Sequence, residues 1–125
     1  MLNKAILIGH VGKDPEIKSV NGKQMAQFSI ATSESWKDKD SGERKQKSEW
    51  HRIVCFQEGL VNIIRQYVKK GSKVYIEGQI VHRKWDDNGV EKSMSEINIK
   101  QRGKLVLLDK ADGSDAPPDN AYGDE

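Results

Sequence analysis

A single cysteine, Cys55, is the whole thiol content of this 125-residue sequence. No disulfide can close within the chain, which fits a reducing compartment. Long apolar runs are missing as well. Charged residues make up 32% of the sequence, against about 25% in an average soluble protein, and no hydrophobic stretch approaches the ~20 residues of a membrane-spanning helix. The N-terminal MLNKAILIGHVGKD has one lysine before a short apolar run and lacks a small-residue cleavage site, so it reads as the first strand of a cytoplasmic protein. Histidines number three, His10, His51 and His82, and none sits at metal-ligand spacing from a cysteine or carboxylate. A metal centre is therefore not expected. Aromatic residues supply only 6% of the chain, so where each one falls is informative.

A 35% hydrophobic content suits one domain with one core. The formal charge of +2 conceals an asymmetry: residues 109–125 carry six acids (Asp109, Asp112, Asp115, Asp119, Asp124, Glu125) against one base, Lys110. Residues 1–108 keep 20 bases and 13 acids, a net +7 on the part expected to fold. A basic domain followed by an acidic segment suggests a polyanionic partner. Residues 109–125 contain Pro117-Pro118 and small polar residues, too little to bury, and are expected to be disordered.

The apolar spacing outlines the fold. AILIG at 5–9 reads as a strand that bends through HVGKDPE into IKSV; Asn21-Gly22 signals a hairpin, and MAQFSIAT then alternates with Phe28 and Ile30 on its core face. Residues 36–48 are too polar to pack and are expected to form a long, mobile hairpin loop. In EWHRIVCF, period two puts Trp50, Arg52, Val54 and Phe56 on one face and His51, Ile53 and Cys55 on the other. LVNIIRQYVKK at 60–70 has helical spacing, with lysines in its last turn and Gly71 just beyond. VYIEGQIVHRKW, the turn Asp87-Asn88-Gly89, SMSEINIK and a short KLVLLD complete the series. Three strands, one helix and two further strands describe an OB-fold, a five-stranded, partly open Greek-key barrel with its helix between strands 3 and 4. An SH3-like barrel lacks that helix, and a ferredoxin-like fold needs a second one.

Catalysis finds no support. GHVGK at 9–13 has two residues between its glycines and Asp14 after the lysine, whereas a phosphate-cradling loop needs four and a Ser or Thr; it reads as a bend in a barrel strand. No strand-elbow motif presents a serine nucleophile, so a hydrolase is not expected. The aromatics, by contrast, recur beside bases at strand ends and loop mouths: SWKDK at Trp36, EWHR at Trp50, VCF at Phe56, HRKWDD at Trp85. Planar side chains interleaved with cations are what a sequence-independent binder of single-stranded nucleic acid needs, for stacking on bases and for tracking phosphates. Stacking and phosphate contacts serve DNA and RNA alike.

NKAILIGHVGKDPEI, ATSESW, EWHR, KGSKVYIEG and RKWDDNG, in this order over about residues 3–108, resemble the bacterial single-stranded-DNA-binding proteins of replication, recombination and repair. The resemblance implies base stacking by Trp36, Trp50, Phe56 and Trp85, and backbone contacts by Lys4, Lys37, Lys39, Arg52, Arg83 and Lys84. It also implies a homotetramer without cofactor or metal, with His51 and Tyr75 at positions of subunit contact. Val81, on the face of Arg83 and Trp85, and Glu58, just after Phe56, are expected to trim local backbone affinity. The family pattern ends in an acidic tip with a hydrophobic Pro-Phe pair that recruits replication and repair proteins. This sequence stops at NAYGDE, as a truncated or short form would, which puts such recruitment in doubt. The nearest alternative is a primosome-type OB-fold accessory protein acting mainly through protein contacts; a purely structural interaction domain is a third.

Overall fold

In a computed structural model of the protein, residues 1–109 are described. The acidic segment beyond Asp109 lies outside the described residues. Asp109 itself accepts a hydrogen bond from the Lys73 backbone N–H at 2.8 Å.

The elements run β1 (Ala5–Val11), β2 (Glu16–Val20), β3 (Lys23–Lys37), β4 (Arg44–Cys55), α1 (Glu58–Tyr67), β5 (Lys73–Asp87), β6 (Val90–Ile99) and β7 (Lys104–Leu107). The bend read in the first strand is a full break, giving β1 and β2. Pairing runs β1-β3-β4-β6-β5, and β5 returns to β1, so five strands close a ring; β2 adds to β3 and β7 to β5. The closing contacts are β1 with β5, antiparallel from Ala5↔Gly78 to His10↔Lys73, and β4 with β6, parallel from Ile53↔Ile97 to Cys55↔Ile99. This is the OB-fold ring, with α1 between the third and fourth of its strands.

Alternation decides what fills it. Phe28 faces Ile53 and Ala26 faces Cys55 across β3 and β4, and these side chains are buried with Ile30, Val74, Ile76, Ile97 and Ile99. Helix α1 adds Val61 and Ile64 to that cluster. The helix begins and ends earlier than its spacing suggests, because Val68 turns extended and buries its own side chain. Lys69 and Lys70 therefore follow the helix, and Arg65 is the base of its last turn. The two hairpin turns match their sequence signal: Asn21-Gly22 and Asn88-Gly89 all have positive φ, between 51° and 83°, as a two-residue turn compatible with strand twist requires.

Residues 36–48 are the main correction to the sequence reading. Instead of a long loop, β3 and β4 stay paired out to Lys37↔Arg44, leaving a turn at 38–43 closed by Asp38 N–H to Glu43 O and Gly42 N–H to Asp38 O, each 2.8 Å. Polarity predicts that a segment stays out of the core, which is true of this one. It does not predict that the backbone goes unpaired, since ladder hydrogen bonds need no apolar face. Ser33 and Ser48 also bond across the arm at 2.8 Å, and the result is an exposed two-stranded ribbon.

Candidate nucleic-acid interface

The register sorts β4 into two faces. Phe28↔Ile53 points inward, while Gln27↔Val54, Ser29↔Arg52 and Ala31↔Trp50 point outward. On β5 and β6 the outward pairs are Gln79↔Asn98, Val81↔Glu96 and Arg83↔Met94, with Trp85↔Lys92 next along the hairpin. Trp50, Arg52, Arg83 and Trp85 thus belong to one outer pleat face that crosses β4, β6 and β5. The stacking candidates keep large exposed areas: 62% for Trp50, 45% for Trp36, 44% for Trp85 and 43% for Phe56. Val54 shares the outer pleat but is 3% exposed, covered by its neighbours and closed to a ligand.

Trp50 rests on Gly12. A Cβ there would lie 2.5 Å from Cζ3 of the indole and 2.9 Å from Cη2, so the ring's approach to the β1–β2 bend depends on glycine. The bend is held by the Gly12 N–H bond to Ser29 O at 2.9 Å. Beside it opens a cleft of about 400 Å³ lined by Gly12, Lys13, Asp14, Gln27, Trp50 and Arg52. From sequence the GHVGK motif read as a bend and nothing more; its contact with a residue 38 positions away left no local signal. Gly12→Ala is expected to displace the Trp50 ring, shifting the protein's tryptophan emission maximum and weakening oligo-dT binding by up to about tenfold, the value of part of one stacked base.

The remaining candidates are more dispersed. Trp36 lies opposite Lys45 on the alternate pleat face of the ribbon from Trp50, Lys37 lies opposite Arg44, and Lys39 sits in the turn. Phe56 follows β4 and donates its N–H to Ile99 O at 2.9 Å. Lys84 takes the alternate pleat face from Arg83, opposite Ser93. Lys4 is paired with Glu77 at 3.1 Å, on the β1–β5 side of the barrel. The Tyr75 hydroxyl donates to the same carboxylate, and this bond, with Lys4, holds Glu77 below the usual carboxylate range. His51 belongs to the inner pleat of β4 and shares a hydrogen bond with Thr32 Oγ1 at 2.9 Å. His51 and Tyr75 are therefore not brought together within one chain. What accompanies Tyr75 is a pair of exposed isoleucines: Ile8 opposite Tyr75 and Ile6 opposite Glu77. Alternation within AILIG carried that signal.

Glu96 was also missed. It lies on the outer face with a side chain only 3% exposed, and its Oε2 accepts from Arg52 Nε and from Arg83 Nη1, each at 3.3 Å. Period two in SMSEINIK puts Glu96 in line with Met94, but its burial and partners come from other strands.

Among the described residues no group of three His, Cys, Asp or Glu is placed to hold a metal ion. Burial pushes the Cys55 thiol above its ordinary value, so it stays protonated inside the core. His51 is bonded to Thr32 and His82 to Ser95, each at 2.9 Å.

A five-strand ring with a capping helix, aromatic and arginine side chains on one outer face and hairpin arms beyond it defines an OB-fold protein with an oligonucleotide-binding face. Residues 2–105 match the single-strand binding protein family. The chain is 48% identical over 122 residues to a single-stranded DNA-binding protein of Rickettsia felis, covering 95% of this chain and 80% of the relative. To the corresponding protein of Rickettsia typhi it is 53% identical over 111 residues, covering 86% and 73%. Among solved structures, the Plasmodium falciparum SSB complex with ssDNA superposes with a TM-score of 0.78 at 42% identity, over 87% of this chain and 96% of that one. The chain belongs to the single-strand binding protein family.

Proposed function

We propose that the protein binds single-stranded DNA without regard to sequence and covers exposed strands during replication, recombination and repair, without an enzymatic step. The observation that carries this reading is the outer face itself, where Trp50, Arg52 and Arg83 lie together on the pleat opposite the core and Trp85 continues the same line along β5. Bases stack on Trp50, Trp85, Phe56 and, across the ribbon, Trp36; Arg52, Arg83, Lys37, Lys39, Lys84 and Lys4 follow the phosphates. Residues 1–108 form the binding domain, and 109–125 an acidic segment. The family match does not favour the primosome-type alternative.

The assembly is a cytoplasmic homotetramer. Exposed Ile6 and Ile8 beside Tyr75 support a subunit contact through β1, since apolar side chains flanking a free strand edge gain by being covered. Among the described residues, the β1 edge away from β5 is paired with β3 only at His10 and Val11.

All three tryptophans are on exposed elements, so titration with oligo-dT is expected to quench their emission strongly. An unchanged spectrum at saturating DNA overturns the stacking assignment. Oligo-dT left uncut in the presence of Mg²⁺ checks the absence of nuclease activity, and mass measurement with oligo-dT of several lengths reads oligomer and site size together.

A further inference from the structure

The centre of a face proposed to bind a polyanion holds a buried carboxylate. Glu96 is nearly sealed from solvent, with a 3% exposed side chain, whereas its partners are open, Arg52 at 34% and Arg83 at 61%. A buried acid is strongly unfavourable unless paired, and here one oxygen, Oε2, receives both guanidinium groups. The arginines reach it from different strands. Arg52 comes from β4, one place before the Ile53↔Ile97 pairing, and Arg83 from β5, two places beyond Val81↔Glu96. Each guanidinium commits one nitrogen to Glu96 and keeps its other N–H groups for solvent or a ligand. The three groups together carry a net charge of +1.

We propose that Glu96 is a positioning residue that fixes the two arginines at the centre of the face and makes them act toward a single strand as one cation instead of two. The inference rests on the reading of this face as a binding site for single-stranded DNA. Two phosphates cannot both be neutralised by a cluster of net charge +1. One phosphate is taken by the outward N–H groups, and the carboxylate repels a second. The strand's bases, not its backbone, then pass over the middle of the face toward Trp50. The consequence is a restrained hold, in which stacking supplies affinity at the centre and the outlying lysines supply most of the salt-dependent part. Such a strand can be released locally without breaking two phosphate contacts together.

The test is the slope of log K against log[salt] for oligo-dT, which changes by about 0.7 for each phosphate neutralised on a single strand. Glu96→Gln keeps the volume and an acceptor oxygen but removes the charge. It is expected to bind more tightly at low salt and to steepen the slope by about 0.7. The triple variant Arg52→Gln, Glu96→Gln, Arg83→Gln leaves a neutral cluster and no buried unpaired charge. It is expected to lose about 0.7 from the wild-type slope, one phosphate's worth, whereas two arginines acting independently would lose about 1.4. An unchanged or shallower slope in Glu96→Gln, or the larger loss in the triple variant, overturns the inference while leaving the binding function intact. Failure of the wild-type protein to bind oligo-dT at low salt overturns both. The triple variant keeps the question answerable should Glu96→Gln not fold.

Discussion

Trp50→Ala is expected to weaken oligo-dT binding by about 1–3 kcal/mol, roughly fivefold to more than a hundredfold, a range measured on single-stranded-DNA-binding OB-folds themselves. The site gives reasons for this side chain to carry a large share. Trp50 is 62% exposed, so its removal takes little from the core. Its ring is braced by the glycine bend and stands beside Arg52, so a base stacked there also meets a cation. Fluorescence anisotropy at a series of salt concentrations separates the two contributions. Trp50→Ala shifts the binding curve and leaves the salt slope as it was, because stacking releases no counterions. Arg52→Ala reduces the slope. Equal slopes for the two variants would break the division between stacking and phosphate contact.

Ile53→Ala produces the opposite pattern, a large loss of stability from a residue that no ligand touches. Ile53 is fully buried and faces Phe28 on β3 and Ile97 on β6. It therefore stands where the antiparallel part of the ring meets its parallel closure. Truncating a buried isoleucine to alanine costs about 2–5 kcal/mol, from lost transfer free energy plus the cavity left behind. A domain of this size has a net stability of about 5–15 kcal/mol, so a large fraction is at stake. Urea unfolding is expected to show a lower midpoint at unchanged slope. A midpoint within error of wild type would mean that the neighbours collapse into the space.

These two neighbouring residues also show how far the sequence can be read. Trp50 and Ile53 are an odd number of places apart on one strand, and period two alone sends them to opposite faces. The same rule placed Phe28 and Ile30 inward, the 3.6-residue period located α1, and Asn-Gly pairs marked both tight turns. The sites of failure share a cause. The outer β3–β4 ribbon is held by ladder bonds that apolar spacing does not report. The resting place of Trp50 on Gly12 and the pairing of Glu96 with Arg52, 44 residues away, exist only after distant strands are brought side by side. The helix ended early because Val68 was needed by the core, a demand that helical periodicity does not contain. Among the site candidates, the resemblance alone gave Lys4 and Lys84 a role, whereas Trp36 was also marked by the bases beside it. The register sets Trp36 and Lys84 on the alternate pleat faces from Trp50 and Arg83, and Lys4 is paired with Glu77.

The ribbon that carries Trp36 has no buried side to fix its alignment. In a strand pair with one face in the core, slipping by a single residue would expose every apolar side chain, and that penalty locks the register. Between Ser33 and Lys37 all side chains are exposed, so that safeguard is missing. The ladder runs out from the barrel past the Ser33–Ser48 bond and is closed by the turn at 38–43, where the Ser41 hydroxyl donates to the Asp38 carboxylate at 2.8 Å. That bond holds the Asp38 carboxyl below its ordinary range, so the turn keeps its charged anchor well into mildly acidic solution. The pairing runs unbroken from Ala26↔Cys55 in the barrel to Lys37↔Arg44, so Trp36 keeps the pleat parity that Ile30 has in the core. The direction in which one of the three tryptophans points is thus inherited from the core six residues back along β3, and a serine and an aspartate close the arm that carries it there.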